Sequence, residues 1–460
     1  MKASSNINNN LKPKQKYRRG SASDGISSFQ VILLVVFSVL LVVAVLMFSG
    51  ILPGFKGKGA SVASEISMWG TLGGPKLDAL IGELNTANKD SFFITYKQKR
   101  GQTYQNDLVN ALASGSGPDV WIMSQDILLW AKDKLQPLGF ASFSERAFRD
   151  TFFDSADLFL DMNNKAVLAV PIAVDPLVLY WNRELFSAAG LARPPENWDE
   201  FLSSVQLLTK RDNAGNIIRA GAAIGEFRNV KNAKDILSML MLQAGNKIVD
   251  PVSLRVVLGD AGNAPLSPAE NSVRFFNEFS NPGKSSYTWN RALPPSDTMF
   301  VNGNLAMYFG YASELNGIKE MNPHLDFDVA VVPQIKGSLT KATFGRIYAL
   351  AVSKSSPRKG AAFTAIFKMM DENFSKNFAE DVSMVPVRRD LLARGNSGSF
   401  SPVFFRSAIM AKAWLDPAPD KVYKIFQNMV ESVATGAARP SESVEEARKQ
   451  IGELLKQYVK

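Results

Sequence analysis

The chain has 460 residues, 46% of them hydrophobic and 21% charged, enough to bury two or three domain-sized cores. It has no cysteine and one histidine, His324, which excludes disulfides, thiolate metal sites, cysteine nucleophiles and multi-histidine metal centres. The formal charge of +9 sits at one end: residues 1–59 carry eight Lys/Arg and one acid, Asp24, leaving 44 basic and 42 acidic side chains for the rest. A folded part so near neutrality lacks the basic face that nucleic acid requires, and none is expected as a partner.

Residues 1–28 are polar and rich in Ser, Asn and Lys, the composition of a disordered tail. Residues 29–52 are uncharged, almost wholly apolar and long enough to cross a bilayer as a helix. Six cations precede this segment, so the tail is expected in the cytoplasm and everything from residue 53 outside, a single-pass anchor in the cell membrane. The alternative is a cleaved signal peptide, which has a shorter apolar region and a small-x-small site close behind it. Phe48-Ser49-Gly50 is a poor site, and Ser61-Val62-Ala63 lies far downstream. Residues 53–61, PGFKGKGAS, have linker composition.

A strand ending at Trp69, a turn Gly70-Thr71-Leu72-Gly73-Gly74 and a helix opened by Pro75 make half a βαβ unit. The glycine turn could cradle an anion, but it lacks the Walker lysine and the dinucleotide spacing. A strand at Ser91–Tyr96 and a helix at Tyr104–Leu112 follow. Then Ser-Gly-Ser-Gly and Pro118-Asp119 lead into an apolar strand, Val120–Met123, in which Asp119 is expected to cap the turn. Ser124-Gln125-Asp126 stands at that strand's C-terminal end, where open α/β sheets place ligands. The stretch VLAVPIAVDPLVLYWNRELF, Val167–Phe186, breaks at Pro171, restarts after Asp175-Pro176 and has the pattern of a strand crossing between two lobes. Asn197 caps a helix entered through Trp198, and residues 198–243 are read as helices with a turn at 212–215. Helix Pro268–Phe279, segment SYTWN with Trp289, strand Leu305–Phe309 ending at Tyr311, and a return crossing at Asp328–Val332 come next. Gly345-Arg346 leads into a strand, and Ser443-Val444-Glu445-Glu446 has the pattern of a capping box opening the last helix.

Four of these segments, in this order, resemble the extracellular solute-binding proteins that feed ABC importers, and the maltose- and oligosaccharide-binding branch in particular. They are Ala-Ser-Gly followed by Gly-Pro-Asp before the strand at Val120, PIAVDPLVLYWN at Pro171, TMFVNGNLAMYFGY at Thr298, and Met384–Arg388, which resembles a segment lying over the cleft in relatives. The resemblance implies a ligand cleft between two lobes. In it Asp126 and Asp175 match an acid that holds sugar hydroxyls and the hinge acid, and Tyr423 lies near a stacking aromatic. Met123 and Ile127 stand where that branch has a stacking Trp and an Arg, which argues against maltodextrin itself.

Expected, then, is an α/β chain with a two-lobed periplasmic-binding-protein-like fold. Lobe one comprises 62–172 and 328–370; lobe two comprises 173–327 and 371–460, with mostly parallel sheets. The ligand is a small-molecule solute of the carbohydrate class, the partner an ABC permease, and no cofactor or metal is implied. Candidate ligand-binding residues are Thr71, Gln125, Asp126, Asp175, Trp289, Tyr311, Arg346 and Tyr423, since aromatic faces stack on sugar rings while carboxylates, amides and Arg take hydroxyls. A ligand-presenting sensor partner and a surface carbohydrate-active enzyme are the alternatives. His324 lies in a polar turn and no HExxH or GxSxG motif is present, so no catalytic residue is assigned.

Overall fold

The computed structural model describes residues 63–262, 266–396 and 398–458. The tail and membrane span expected at 1–52 and the linker at 53–61 lie outside these described residues. Among the described residues no helix is long and apolar enough to cross a membrane.

The chain begins with β1 (Ser64–Gly70), α1 (Leu77–Ala87), β2 (Phe92–Gln98), α2 (Tyr104–Ala113) and β3 (Val120–Ser124). β1 lies between β2 and β3, parallel to both. Helix α1 buries Leu77, Ile81 and Asn85 on one face. Asn85 is polar yet buried because its amide replaces a missing sheet neighbour. Its Nδ2 donates to the Ile94 carbonyl (2.9 Å) and its Oδ1 accepts from the Ile94 N–H (2.7 Å).

The organising element is β4 (Val170–Asn182), a single 13-residue strand buried along its length except at Trp181. The expected break at Pro171 does not occur. The partner changes at Pro176 instead. Up to Pro176 the strand runs antiparallel to Gly345–Leu350; from Leu177 it runs antiparallel to Met307–Tyr311. Proline cannot donate to a ladder, so it fits where one set of strand partners gives way to another.

Lobe two follows with α3 (Trp198–Leu208), β5 (Ile217–Ala222), α4 (Ala233–Gln243), α5 (Pro268–Glu278), β6 (Leu305–Tyr311) and β7 (Phe327–Ala330). Asn197 caps α3, accepting from the Glu200 N–H at 3.0 Å. β5 corrects the all-helical reading of 198–243: Ile217, Ala220 and Ala222 are buried in a strand parallel to β6. Its short, glycine-containing sequence carried too weak an alternation to be separated from its helical flanks. Trp198, Phe201, Phe275, Phe279 and Phe309 pack edge-on or tilted in this lobe's core, 5.1–6.1 Å between ring centroids.

The chain returns through β8 (Thr343–Val352), α6 (Lys359–Met369) and α7 (Glu372–Asp381), and closes with α8 (Pro419–Ala434) and α9 (Pro440–Leu455). β8 pairs antiparallel with β3 and β4, so the lobe-one sheet is mixed rather than mostly parallel. Two expected boundaries move. β7 pairs with Leu179–Asn182, so the second crossing comes after Ala330, not at 328. α7 packs on α1, and Val385–Pro386 pairs with Ala173–Val174 of β4, so lobe one regains the chain beyond residue 371. Within Met384–Arg388, Val385–Pro386 is therefore paired into that sheet, and Val385 and Val387 are buried.

The glycine turn after β1 is approached by a carboxylate of the chain itself, which is held just beyond the turn. The Lys76 N–H donates to Asp381 Oδ1 (2.9 Å), and a Cβ on Gly74 would overlap Asp381 Oδ2. The last helix also starts earlier than its predicted capping box. Pro440 opens it and Glu442 accepts from the Arg439 N–H (3.0 Å), while Ser443 lies inside, its hydroxyl donating to the Met429 carbonyl (2.9 Å).

Asp119, expected to cap its own turn, instead bridges distant segments. Its Oδ2 accepts from the Ser67 N–H (3.0 Å) and its Oδ1 from Ser356 Oγ (2.6 Å), tying β1 to the loop after β8. Replacing this buried carboxylate by Ala strands both donors. Asp119→Ala should cost about 2–4 kcal/mol in urea-midpoint stability, and Asp119→Asn, which retains one acceptor, clearly less.

Candidate functional site

A cavity of about 270 Å³ lies where both lobes meet the segment joining β8 to α8. Lobe one contributes Gln125 and Asp126 from the end of β3, and Phe344 and Arg346 from β8. Lobe two contributes Asn232, Lys234 and Asp235 at the start of α4, and Pro419, Asp420 and Tyr423 at the start of α8. Trp414 and Asp416 form the wall between them.

The charged groups are fixed by one another. Arg346 Nη2 stands 3.3 Å from Asp235 Oδ2, and the guanidinium lies 4.7 Å from the centre of the Tyr311 ring. Tyr311 donates its hydroxyl to the same Asp235 oxygen at 2.6 Å. The Tyr311 ring, Tyr348 and Asp235 hold Arg346 well above its ordinary range, so it stays charged. Burial pushes the Tyr311 phenol up, so it stays a donor. Across the cavity Lys234 Nζ is 2.7 Å from Asp416 Oδ2. Burial pulls the Lys234 ammonium down, but Asp416 and Asp235 outweigh it and the net shift is upward. Burial pushes Asp416 up to about 6 against the pull of Lys234, so the pair is ionic at neutral pH. Asp416 Oδ1 also accepts from the Ala418 N–H (2.9 Å), shaping the turn into α8.

The apolar surface is equally constrained. The Trp414 ring stacks on Phe426 at 6.2 Å, and its indole N–H donates to Ser238 Oγ (3.3 Å). Tyr423 is 37% exposed, with its hydroxyl donating to the Phe227 carbonyl (2.8 Å). One flank of its ring is left for the cavity.

Of the eight residues proposed from sequence, Gln125, Asp126, Arg346 and Tyr423 line this cavity together. Tyr311 lies behind it, under Arg346. Asp175 is buried in β4, directly paired with Arg346 across the strands. Its carboxylate accepts from the Ser313 N–H (3.0 Å) and from Ser313 Oγ (2.6 Å), so it joins the hinge strand to lobe two. Thr71 does not line the cavity; its carbonyl accepts from Gln98 Nε2 (3.4 Å). Trp289 is a correction: it is 0% exposed, its indole donating to Asn229 Oδ1 (2.9 Å), and it has no free face. Met123 and Ile127 are both buried in the core. Sequence reasoning missed Lys234, Asp235, Trp414 and Asp416. The first two sit in a run read only as helical. The WLDPAP segment carries a usable signal, an aromatic and an acid before a proline-opened helix.

The family profile described as bacterial extracellular solute-binding protein matches residues 76–367. The chain belongs to this family. A solute-binding protein captures its ligand without transforming it, and this one is not an enzyme. A Brucella abortus protein is 22% identical over 299 residues, covering 62% of this chain and 67% of that one. Among solved structures, a cyclic α-maltosyl-1,6-maltose-binding protein from Arthrobacter globiformis superposes with a TM-score of 0.70 at 16% identity, over 86% of this chain and 100% of that one. A cyclo/maltodextrin-binding protein complexed with maltotetraose gives 0.68 at 16%, over 87% and 99%. The GacH receptor of Streptomyces glaucescens gives 0.64 at 18%, over 86% and 99%. At these identities the likeness establishes the two-lobed α/β fold of the solute-binding protein.

Burial pushes Asp175 up to about 7 although Ser313 and Arg346 oppose it. The native state therefore binds a proton that the unfolded chain releases near 3.8, and stability falls as pH rises from about 4 to about 7. Asp175→Asn keeps partners for Ser313 and removes this dependence. Denaturation midpoints should fall with pH over that window in the wild type, by up to about 4 kcal/mol, and run markedly flatter in the variant, with Asp416 supplying the residual slope between about 4 and 6.

Proposed function

We propose that this solute-binding protein captures a sugar or oligosaccharide between its lobes and delivers it to an ABC permease from the outer face of the cell membrane, tethered by residues 29–52. The observation that carries the carbohydrate reading is the cavity's composition. The partly exposed ring of Tyr423, beside the buried Trp414, offers apolar surface for a pyranose, while Gln125, Asp126 and Arg346 supply fixed donors and acceptors for hydroxyls. Structural neighbours complexed with maltotetraose and with acarbose support the same class. The protein's contribution is binding with hinge closure: contacts from both lobes favour the closed state, which is the form the permease would recognise. Asp175 acts in this reading as a hinge residue rather than a ligand contact.

The tether rests on the sequence of residues 29–52 and the six cations before it. The full chain should sediment with membranes through high-salt and carbonate washes, and a chain starting at residue 60 should not. Release of the full chain by carbonate would reject the anchor.

The ligand class is tested by thermal shift against oligosaccharides, monosaccharides, polyols, peptides and phosphorylated metabolites. A carbohydrate should raise the melting temperature and be recovered unchanged. Tyr423→Ala should weaken its binding about tenfold or more. A shift produced only by a peptide or a phosphorylated compound would sink the carbohydrate reading while leaving the family assignment intact.

A further inference from the structure

Building on the carbohydrate reading, we infer that the cleft selects a sugar bearing a protonated amine beside a hydroxyl, over its neutral or anionic counterparts. Four acids line the cavity, Asp126, Asp235, Asp416 and Asp420, against two bases, Lys234 and Arg346. Both bases are already committed: Lys234 to Asp416 at 2.7 Å and Arg346 to Asp235 at 3.3 Å. Neither Asp126 nor Asp420 has a cation within ion-pair distance among the described residues. Asp420 is exposed in the first turn of α8, where the helix N-terminus offsets part of its charge. Asp126 is half-buried at the end of β3, accepts from Ser124 Oγ, and adds to the negative field acting on Lys234, Arg346 and Asp416.

A second observation fixes the geometry. Gln125 is only 1% exposed, and its Oε1 accepts from the Ile347 N–H at 2.6 Å, which sets the orientation of the amide. Its Nε2 donates to no group among the described residues, which leaves a free donor on the cavity wall next to the Asp126 acceptor. A 2-amino-2-deoxy sugar matches this pair: its ammonium donates to Asp126 while the adjacent hydroxyl oxygen accepts from Gln125.

The alternatives fit less well. A uronate or sugar phosphate must draw Lys234 or Arg346 from its carboxylate, leaving buried Asp416 or Asp235 unpaired. A neutral sugar leaves the cavity's excess negative charge uncompensated. A bare metal ion is disfavoured because, among the described residues, no group of three or more acidic or histidine side chains is arranged to hold one.

The test is calorimetry on the detergent-solubilised full chain with cellotriose, the corresponding glucosamine trimer and its N-acetylated form, which share one backbone and differ at C2. Maltotriose is added as a neutral sugar of other linkage. The glucosamine trimer should bind about tenfold or more tightly than any of the other three at low salt. Its affinity should drop when ionic strength is raised until screening operates within about 8 Å, whereas that of a neutral sugar should not. Asp126→Asn, checked for an unchanged thermal melt in the absence of sugar, should remove the amine advantage. Equal or tighter binding of a neutral trimer, or an amine advantage that survives both salt and Asp126→Asn, overturns the inference and leaves the carbohydrate reading standing. Binding of no sugar in the wider panel overturns that reading and this inference with it.

Discussion

Everything in this molecule hangs on one strand exchanging its neighbours. β4 is buried on both faces and belongs to two sheets, pairing with β8 before Pro176 and with β6 after it. A strand shared in this way joins the lobes covalently and through both ladders, so the sheets cannot separate; they can only rotate about the exchange point. Around that point the chain places residues that allow close approach or forbid pairing. Pro176 removes a donor, and a Cβ on Gly345 opposite it would sit 2.6 Å from the Ala411 Cβ, where the last crossing segment runs alongside. Thr343 donates its hydroxyl to the Leu177 carbonyl at 2.7 Å, adding a bond across the same point.

The cleft depends on that strand for its position and its electrostatics. Arg346 is paired with Asp175 across β8 and β4, so the residue that faces the cavity also opposes the upward push of burial on its buried neighbour. Asp175 is spent on Ser313 and Arg346 on Asp235, so each side chain of lobe one or of the hinge strand is answered by one of lobe two. These contacts favour close approach of the lobes before any ligand enters. A ligand can shift the balance only by what it adds beyond them. That makes the uncommitted groups, Gln125 Nε2 and the carboxylate of Asp126, the ones able to discriminate between ligands.

The sequence made the lobes, the crossing and half of the cleft legible, and the reasons are local. Asn197 and the helix-opening prolines announce themselves because capping and turn chemistry act within a few residues, whereas Asp119 was expected to cap its turn and instead answers Ser67 and Ser356. Asp126 and Gln125 were found because they follow a recognisable buried strand. Lys234 and Asp235 were not, since a helix's periodicity identifies its buried face but says nothing of what its first turn will meet. Trp289 was misassigned for the complementary reason: an aromatic among polar residues looks accessible in sequence, but the fold gives its indole an internal acceptor in Asn229. The lobe boundaries failed where pairing partners lie over a hundred residues apart, as with Val385–Pro386 returning to β4. The glycine turn at 70–74 was read as a tight strand-to-helix turn rather than an anion cradle; the carboxylate that meets the Lys76 N–H just after it comes from a residue some three hundred positions away, which no local pattern could supply.

The same distinction bears on how the cleft could change ligands during evolution without changing the fold. Asp175 and Arg346 belong to the hinge as much as to the cavity: removing either leaves a buried charge or donor unanswered, a cost of several kcal/mol that the fold must absorb. Asp126 and Tyr423 carry no such burden, because one has only a neighbouring serine as partner and the other is anchored by its hydroxyl and leaves its ring partly free. Substitution at these two positions alters what the cavity accepts while the ladder beneath it remains paired. The hinge therefore constrains the ligand only through the size and polarity of the space it leaves, and the choice among sugars rests on side chains that the hinge does not need.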